Sequence, residues 1–220
     1  PTVDLIEHLG LRVLHVPDAV PINLSRLFAE STFPKAKEAL LALRIGVAWR
    51  LRAGTRLASI DLGLDRIEHQ GVQEGLRRRI ALLEALLPEF ENRDISLAIR
   101  VRMPRPFPRS HEWEWAGNII HELGHHRCSL VLDVAIGDDD VPLIPAPLVR
   151  SCSSQLSLVR LHYNPSVAER PPDTVHVAWA QALKNHAAGA ALVFCPRPCS
   201  VEQVHMAVLD MARWGVLYQL

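Results

Sequence analysis

Short apolar runs alternate with longer amphipathic stretches along nearly the whole chain. The clearest run is Arg127 to Asp138, RCSLVLDVAIGD. Leu130, Leu132 and Val134 fall on one face, and Ser129, Val131 and Asp133 on the other, as the alternation of a strand requires. A single acid closing an apolar strand, just before a glycine loop, marks the place where α/β folds carry their chemistry. Two further runs repeat this layout, Ile95–Arg102 and Leu156–His162, each with polar residues near its exit.

The same reading predicts strands at about 11–16, 57–63, 95–102, 128–134, 156–162 and 191–195. Helices are predicted between and around them, at 2–9, 35–53, 72–90, 111–123, 146–153, 174–187 and 201–214. In the second helix Ala36, Leu40, Leu43, Val47 and Leu51 recur at helical spacing, between Pro34 and Gly54. In the third, Leu76, Ile80, Leu83 and Leu87 point inward, and Arg77 to Arg79 are expected on a solvated outer face. Strand followed by helix, repeated, implies a parallel sheet covered by helices. All 220 residues are read as a single domain.

Composition narrows the function classes. Lys plus Arg and Asp plus Glu each number 24, so the net charge is zero. No global field draws the protein to nucleic acid or to a membrane surface, and neither is expected as a partner. No apolar run approaches the length of a membrane span, and no signal peptide is visible. Cys128, Cys152, Cys195 and Cys199 fit neither a zinc ribbon nor a disulfide framework. They are expected to be reduced thiols in a cytoplasmic protein.

Several segments, in order, resemble the xylose-isomerase-like TIM barrels, which include sugar phosphate isomerases/epimerases and endonuclease IV. Leu14-His15-Val16-Pro17 followed by Ile22-Asn23-Leu24 resembles that family's HapY…NLA segment. Ser59–Gly63 stands where the family has a strand ending in His-Pro-Gly. Leu97-Ala98-Ile99 is similar to laiE, Leu130–Val134 to lclDt, and Leu161-His162-Tyr163-Asn164 to iHlnD. Leu192–Cys195 is similar to the last strand, which ends in Glu. The resemblance implies a TIM-like (β/α) barrel with parallel strands. On this alignment the six strands are the third to eighth, so the first two are expected upstream of Pro1 or absent.

The resemblance also implies a divalent metal centre, zinc or manganese, held by His, Asp and Glu at the strand ends. His15, Asp133 and His162 match the family's ligands, and Asp61 replaces a His. Three positions depart from the pattern. Arg100 replaces the central Glu, Ile136 a His, and Cys195 the final Glu. A guanidinium brings permanent charge and has no lone pair to donate. Strand alternation puts Arg100, Arg102, Arg160 and His162 on an inward face. Asp61 and Asp133 are then the natural partners of these arginines, because an unpaired buried charge is costly. The expected protein has a degenerate metal site, no resident cofactor, and a small anionic, sugar- or phosphate-like ligand. In this reading His15, Asp133 and His162 are the catalytic candidates, and Asp61, Arg100, Arg102 and Arg160 the ligand-binding ones. An active metal-dependent isomerase/epimerase or phosphoesterase using His15, Asp61, Asp133 and His162 is the alternative.

A third reading comes from His121-Glu122-Leu123-Gly124-His125, a literal HExxH. In zinc peptidases two His one helical turn apart bind the metal and the Glu acts as general base. Gly124 falls where the helix should stop, so His121 and His125 are expected not to share a metal. Arg100, Arg102, Arg105 and Arg109 read either as an anion pocket at the barrel mouth or as a solvated strand edge and loop, Asp138 to Asp140 as a solvated loop, and Trp113 and Trp115 as helix packing.

Overall fold

The computed structural model describes residues 56–64, 67, 71–102, 111–135, 145–163 and 173–196. The elements expected at 2–9, 11–16, 35–53 and 201–214 lie outside them, together with His15, Arg105, Arg109, Ile136 and Asp138 to Asp140. The described elements alternate strand and helix without exception. They are β1 (Leu57–Asp61), α1 (Val72–Glu91), β2 (Ser96–Arg102), α2 (Glu112–Leu123), β3 (Cys128–Ala135), α3 (Pro145–Ser151), β4 (Leu156–Tyr163), α4 (Asp173–His186) and β5 (Ala191–Pro196). The strands form one parallel sheet in the order β1-β2-β3-β4-β5. Each strand therefore lies beside the next in sequence, as successive strand–helix–strand units dictate.

The chain divides into two compact units, 1–101 with 112–130 and 102–111 with 131–220. In the first, β1 and β2 run in register from Leu57 opposite Ser96 to Asp61 opposite Arg100. Their interior residues Ala58, Ser59, Ile60, Leu97, Ala98 and Ile99 are fully buried or nearly so. Helix α1 buries Ile80, Leu83, Leu86, Leu87 and Phe90, and α2 buries Ala116, Ile119 and Ile120. These are the stripes that helical periodicity predicts, and the two helices pack on each other. Trp113 and Trp115 are both half-buried.

The turn from α1 into β2 shows how the lower strand ends are tied. Asp94 takes a left-handed conformation (φ 57°), which Asp tolerates better than most residues. The turn satisfies the helix's last carbonyls: Ile95 N–H donates to Phe90 O at 3.0 Å and Asp94 N–H to Glu91 O at 3.0 Å. The Asp94 carboxylate meets Arg127 at 2.8 Å, ahead of β3, and Arg56 at 3.8 Å, ahead of β1. Hydrogen bonding to Arg127 and the charges of Arg127 and Arg56 hold it below the usual carboxylate range.

In the second unit β4 and β5 pair in register, with Arg160 opposite Val193 and His162 opposite Cys195. Helix α3 packs on α4, where Trp179, Ala182 and Leu183 are buried. Cys128, in the first unit, and Cys152, in the second, are free and buried. Burial pushes each thiol up to about 11, so both are neutral groups at neutral pH. No helix among the described residues is long and apolar enough to cross a membrane.

The packing sets a clear contrast for mutation. Leu83 is fully buried, so Leu83→Ala should cost about 2–5 kcal/mol by removing contacts and leaving a cavity. Val177 is 46% exposed, and Val177→Ala should change stability by no more than about 0.5 kcal/mol. Chemical denaturation of the two variants measures both.

Candidate functional site at the strand exits

The exit of β1 is shaped by Arg79, which does not share the solvated face of α1 that its run with Arg77 and Arg78 predicts. Arg77 and Arg78 do face outward and bond to Glu74. Arg79 is only 1% exposed. Its position lies between Leu76 and Leu83 at spacings of three and four, so it falls on the inward stripe of the helix. Its guanidinium donates from Nε to Leu62 O at 2.9 Å, from one terminal nitrogen to Gly63 O at 2.8 Å, and from the other to Gly75 O at 2.9 Å. One side chain thus satisfies two carbonyls of the loop leaving β1 and one carbonyl of its own helix. Gly75 leaves room for this: a Cβ there would meet Ile67 at 3.3 Å and the Arg79 guanidinium at 3.5 Å.

Asp61 is set by that loop. Gly63 takes a left-handed conformation (φ 59°), and its N–H donates to Asp61 Oδ1 at 2.9 Å, closing a tight side-chain turn. The other carboxylate oxygen accepts from Arg100 at 2.8 Å. Register makes this contact inevitable once the two strands pair, because Asp61 and Arg100 stand opposite each other. Arg100 is buried and Asp61 half-exposed.

In the second unit Arg160 grips Asp133 in a forked arrangement, Nε to one oxygen and a terminal nitrogen to the other. His162, two residues along the same strand face, places Nε2 at 3.5 Å from Asp133 Oδ1. Burial opposes ionisation of Asp133. Hydrogen bonds from His162 and Arg160, with the charge of Arg160, outweigh it and hold the carboxyl below its usual range. Arg160 is buried, Asp133 is partly buried, and His162 is the accessible member at 32% exposure.

The predicted site residues therefore fall into two sets, Asp61 with Arg100 and Asp133 with Arg160 and His162. Arg102, the last residue of β2, is exposed. In both described sets a guanidinium is bonded to the carboxylate. An ion at Asp133 must displace a guanidinium that occupies both oxygens and carries charge of the same sign. What these groups do offer is fixed positive charge, oriented carboxylates and one accessible imidazole. The HExxH motif is divided: α2 ends at Leu123, and Gly124 (φ 57°) turns the chain before His125.

Two outcomes test this description. Arg79→Lys keeps a charge but cannot span three carbonyls, and should cost about 3 kcal/mol in chemical denaturation. Asp133 titrates lower in the folded protein than its ordinary 3.8. Its contribution to stability is then complete above 3.8 and lost as pH falls through the lower folded value. Acid unfolding of Asp133→Asn should consequently show a weaker pH dependence below pH 4 than the native chain (about 4 being the ordinary Asp range).

By sequence the chain matches no protein-family model and no curated protein. By structure it is similar to the 3-keto-D-glucoside 4-epimerase of E. coli, with a TM-score of 0.67 at 10% identity over 96% of this chain and 82% of that one. It is also similar to a family 2 AP endonuclease from Brucella melitensis, at 0.63 and 14% over 94% and 82%. A third is the D-psicose 3-epimerase of Clostridium cellulolyticum, at 0.58 and 11% over 98% and 90%. A xylose isomerase domain-containing protein from Salmonella typhimurium shares the same architecture. The parallel sheet, its sequential strand order and these likenesses agree: the fold is a TIM-like (β/α) barrel, as in these proteins.

Proposed function

We propose that this protein binds a small sugar- or phosphate-like ligand at its strand exits without a divalent metal, using fixed arginine charge where related barrels use a cation. The observation that carries this reading is the forked Arg160–Asp133 pair, together with Arg100 on Asp61. Each commits to a guanidinium a carboxylate that a metal centre would need. Arg102, exposed at the end of β2, supplies an anion contact, and His162 supplies a group able to exchange a proton with the ligand. His15, outside the described residues, is a candidate from the sequence alone. A sugar-like ligand is supported by the structural neighbours, which include D-psicose 3-epimerase solved with D-tagatose and D-allulose 3-epimerase in complex with D-allulose.

Calorimetry with manganese and with a ketohexose phosphate separates this reading from a metal-dependent isomerase or phosphoesterase using His15, Asp61, Asp133 and His162. The native chain should bind the sugar phosphate and show no manganese binding that depends on Asp133. Arg102→Ala should weaken the sugar phosphate about tenfold, the worth of one charge-assisted contact. Arg100→Glu, which restores a family ligand, should introduce manganese affinity. Tight manganese binding by the native chain, abolished in Asp133→Asn, would replace this reading with the metal-dependent one.

A further inference from the structure

The divided HExxH motif has a second use. His121 and Glu122 remain exposed on the last turn of α2. Gly124 N–H donates to Ile120 O at 3.1 Å, and Cys128 N–H donates to His125 O at 2.9 Å, which fixes the turn into β3. The left-handed Gly124 swings His125 out of line with His121 and toward Glu91, the last residue of α1. His125 Nε2 lies 3.5 Å from a Glu91 carboxylate oxygen. The rings of His125 and His126 stack, with centroids 5.1 Å apart and planes 15° from parallel. One ligand atom from each of Glu91, His125 and His126 lies within 4.8 Å of the others. The group belongs to the first unit, at the entry ends of β2 and β3, whereas Asp61 and Arg100 lie at the strand exits.

We infer that Glu91, His125 and His126 form a site for a divalent transition ion, with zinc as its natural occupant. Two imidazoles and one carboxylate are a donor set zinc accepts, with water completing a tetrahedron. Zinc bound at about 2.0–2.1 Å from each donor needs donor separations of about 3.3 Å. His125 is half-buried and held by the turn, while Glu91 and His126 are exposed and free to rotate the remaining distance. The nearest cation along the chain, Arg127, has its charge met by Asp94 at 2.8 Å. One feature limits affinity. The Arg127 main-chain N–H donates to His125 Nδ1 at 3.3 Å, a long contact that a metal on Nε2 must displace by moving the ring proton to Nδ1. An ion here clips the end of α1 to the turn entering β3, so its effect is structural: it favours the folded chain by mass action.

The test uses the full chain and zinc chloride, with competition against a chromophoric chelator and thermal unfolding as two readouts. The native chain should bind one zinc at this site and unfold at a higher temperature when zinc is present. Glu91→Gln and His126→Ala change exposed side chains and leave the fold intact. Each should weaken zinc about tenfold or more and abolish the thermal shift. His121→Ala and Glu122→Gln should leave both readouts unchanged. The inference fails if the native chain takes no zinc, or if binding survives both Glu91→Gln and His126→Ala. It fails equally if His121→Ala removes the zinc, since the ion would then belong to the undivided HExxH motif. Manganese at Asp133 is tested by other variants, so the two outcomes are independent.

Discussion

A guanidinium taken out of water must find oxygen partners for its donors, and that requirement organises the strand exits of this protein. Among the described residues Arg79, Arg100 and Arg160 are buried. Each finds its oxygens differently. Arg79 uses main-chain carbonyls and so fixes the path of the loop after β1. Arg100 uses the carboxylate set beside it by strand register. Arg160 takes both oxygens of Asp133. Removing one partner from such a pair leaves a buried charge, which costs far more than the pair contributes relative to water. The arrangement is therefore hard to alter one residue at a time.

That constraint bears directly on chemistry. A metal centre at strand exits depends on carboxylates with lone pairs to spare. Here the carboxylates are already hydrogen-bonded to a cation that cannot lose its proton. Asp133 stays ionised despite its burial because Arg160 and His162 both stabilise the charged form. The result is a polar cluster with little net charge, in which His162 is the most exposed member. Structural neighbours with epimerase and endonuclease activities show how many reactions this fold hosts, and why the reaction must be argued from the side chains rather than from the barrel.

The opposite strand ends follow a different logic. There the chain must turn sharply from helix to strand, and left-handed residues make the turns: Asp94 after α1 and Gly124 after α2. Both turns bring polar side chains together at the surface. Asp94 gathers Arg56 and Arg127, and the Gly124 turn gathers His125 and His126 near Glu91. Close charged and ligating groups are thus a by-product of short connections, and the donor chemistry of each cluster decides what it can hold.

The sequence by itself determined the alternation of elements, the parallel sheet and the two acids at strand exits. These are local properties: the period of apolar residues sets strand or helix, and a strand's alternation sets which side chains share a face. The pairing of Arg100 and Arg160 with aspartates was legible for the same reason, since strands neighbouring in sequence are neighbours in a parallel sheet. The role of Arg79 was present in its spacing from Leu76 and Leu83, but charge conventionally argues for solvent, and only the loop carbonyls waiting at Leu62 and Gly63 reverse that. The exposure of Arg102 was not legible in the same way, because alternation says which face a residue takes and not how far it is covered. His125 was legible as part of a motif, yet its partner Glu91 lies on another helix. No spacing along one chain segment reveals a contact between two, so that pairing was decided by tertiary structure alone.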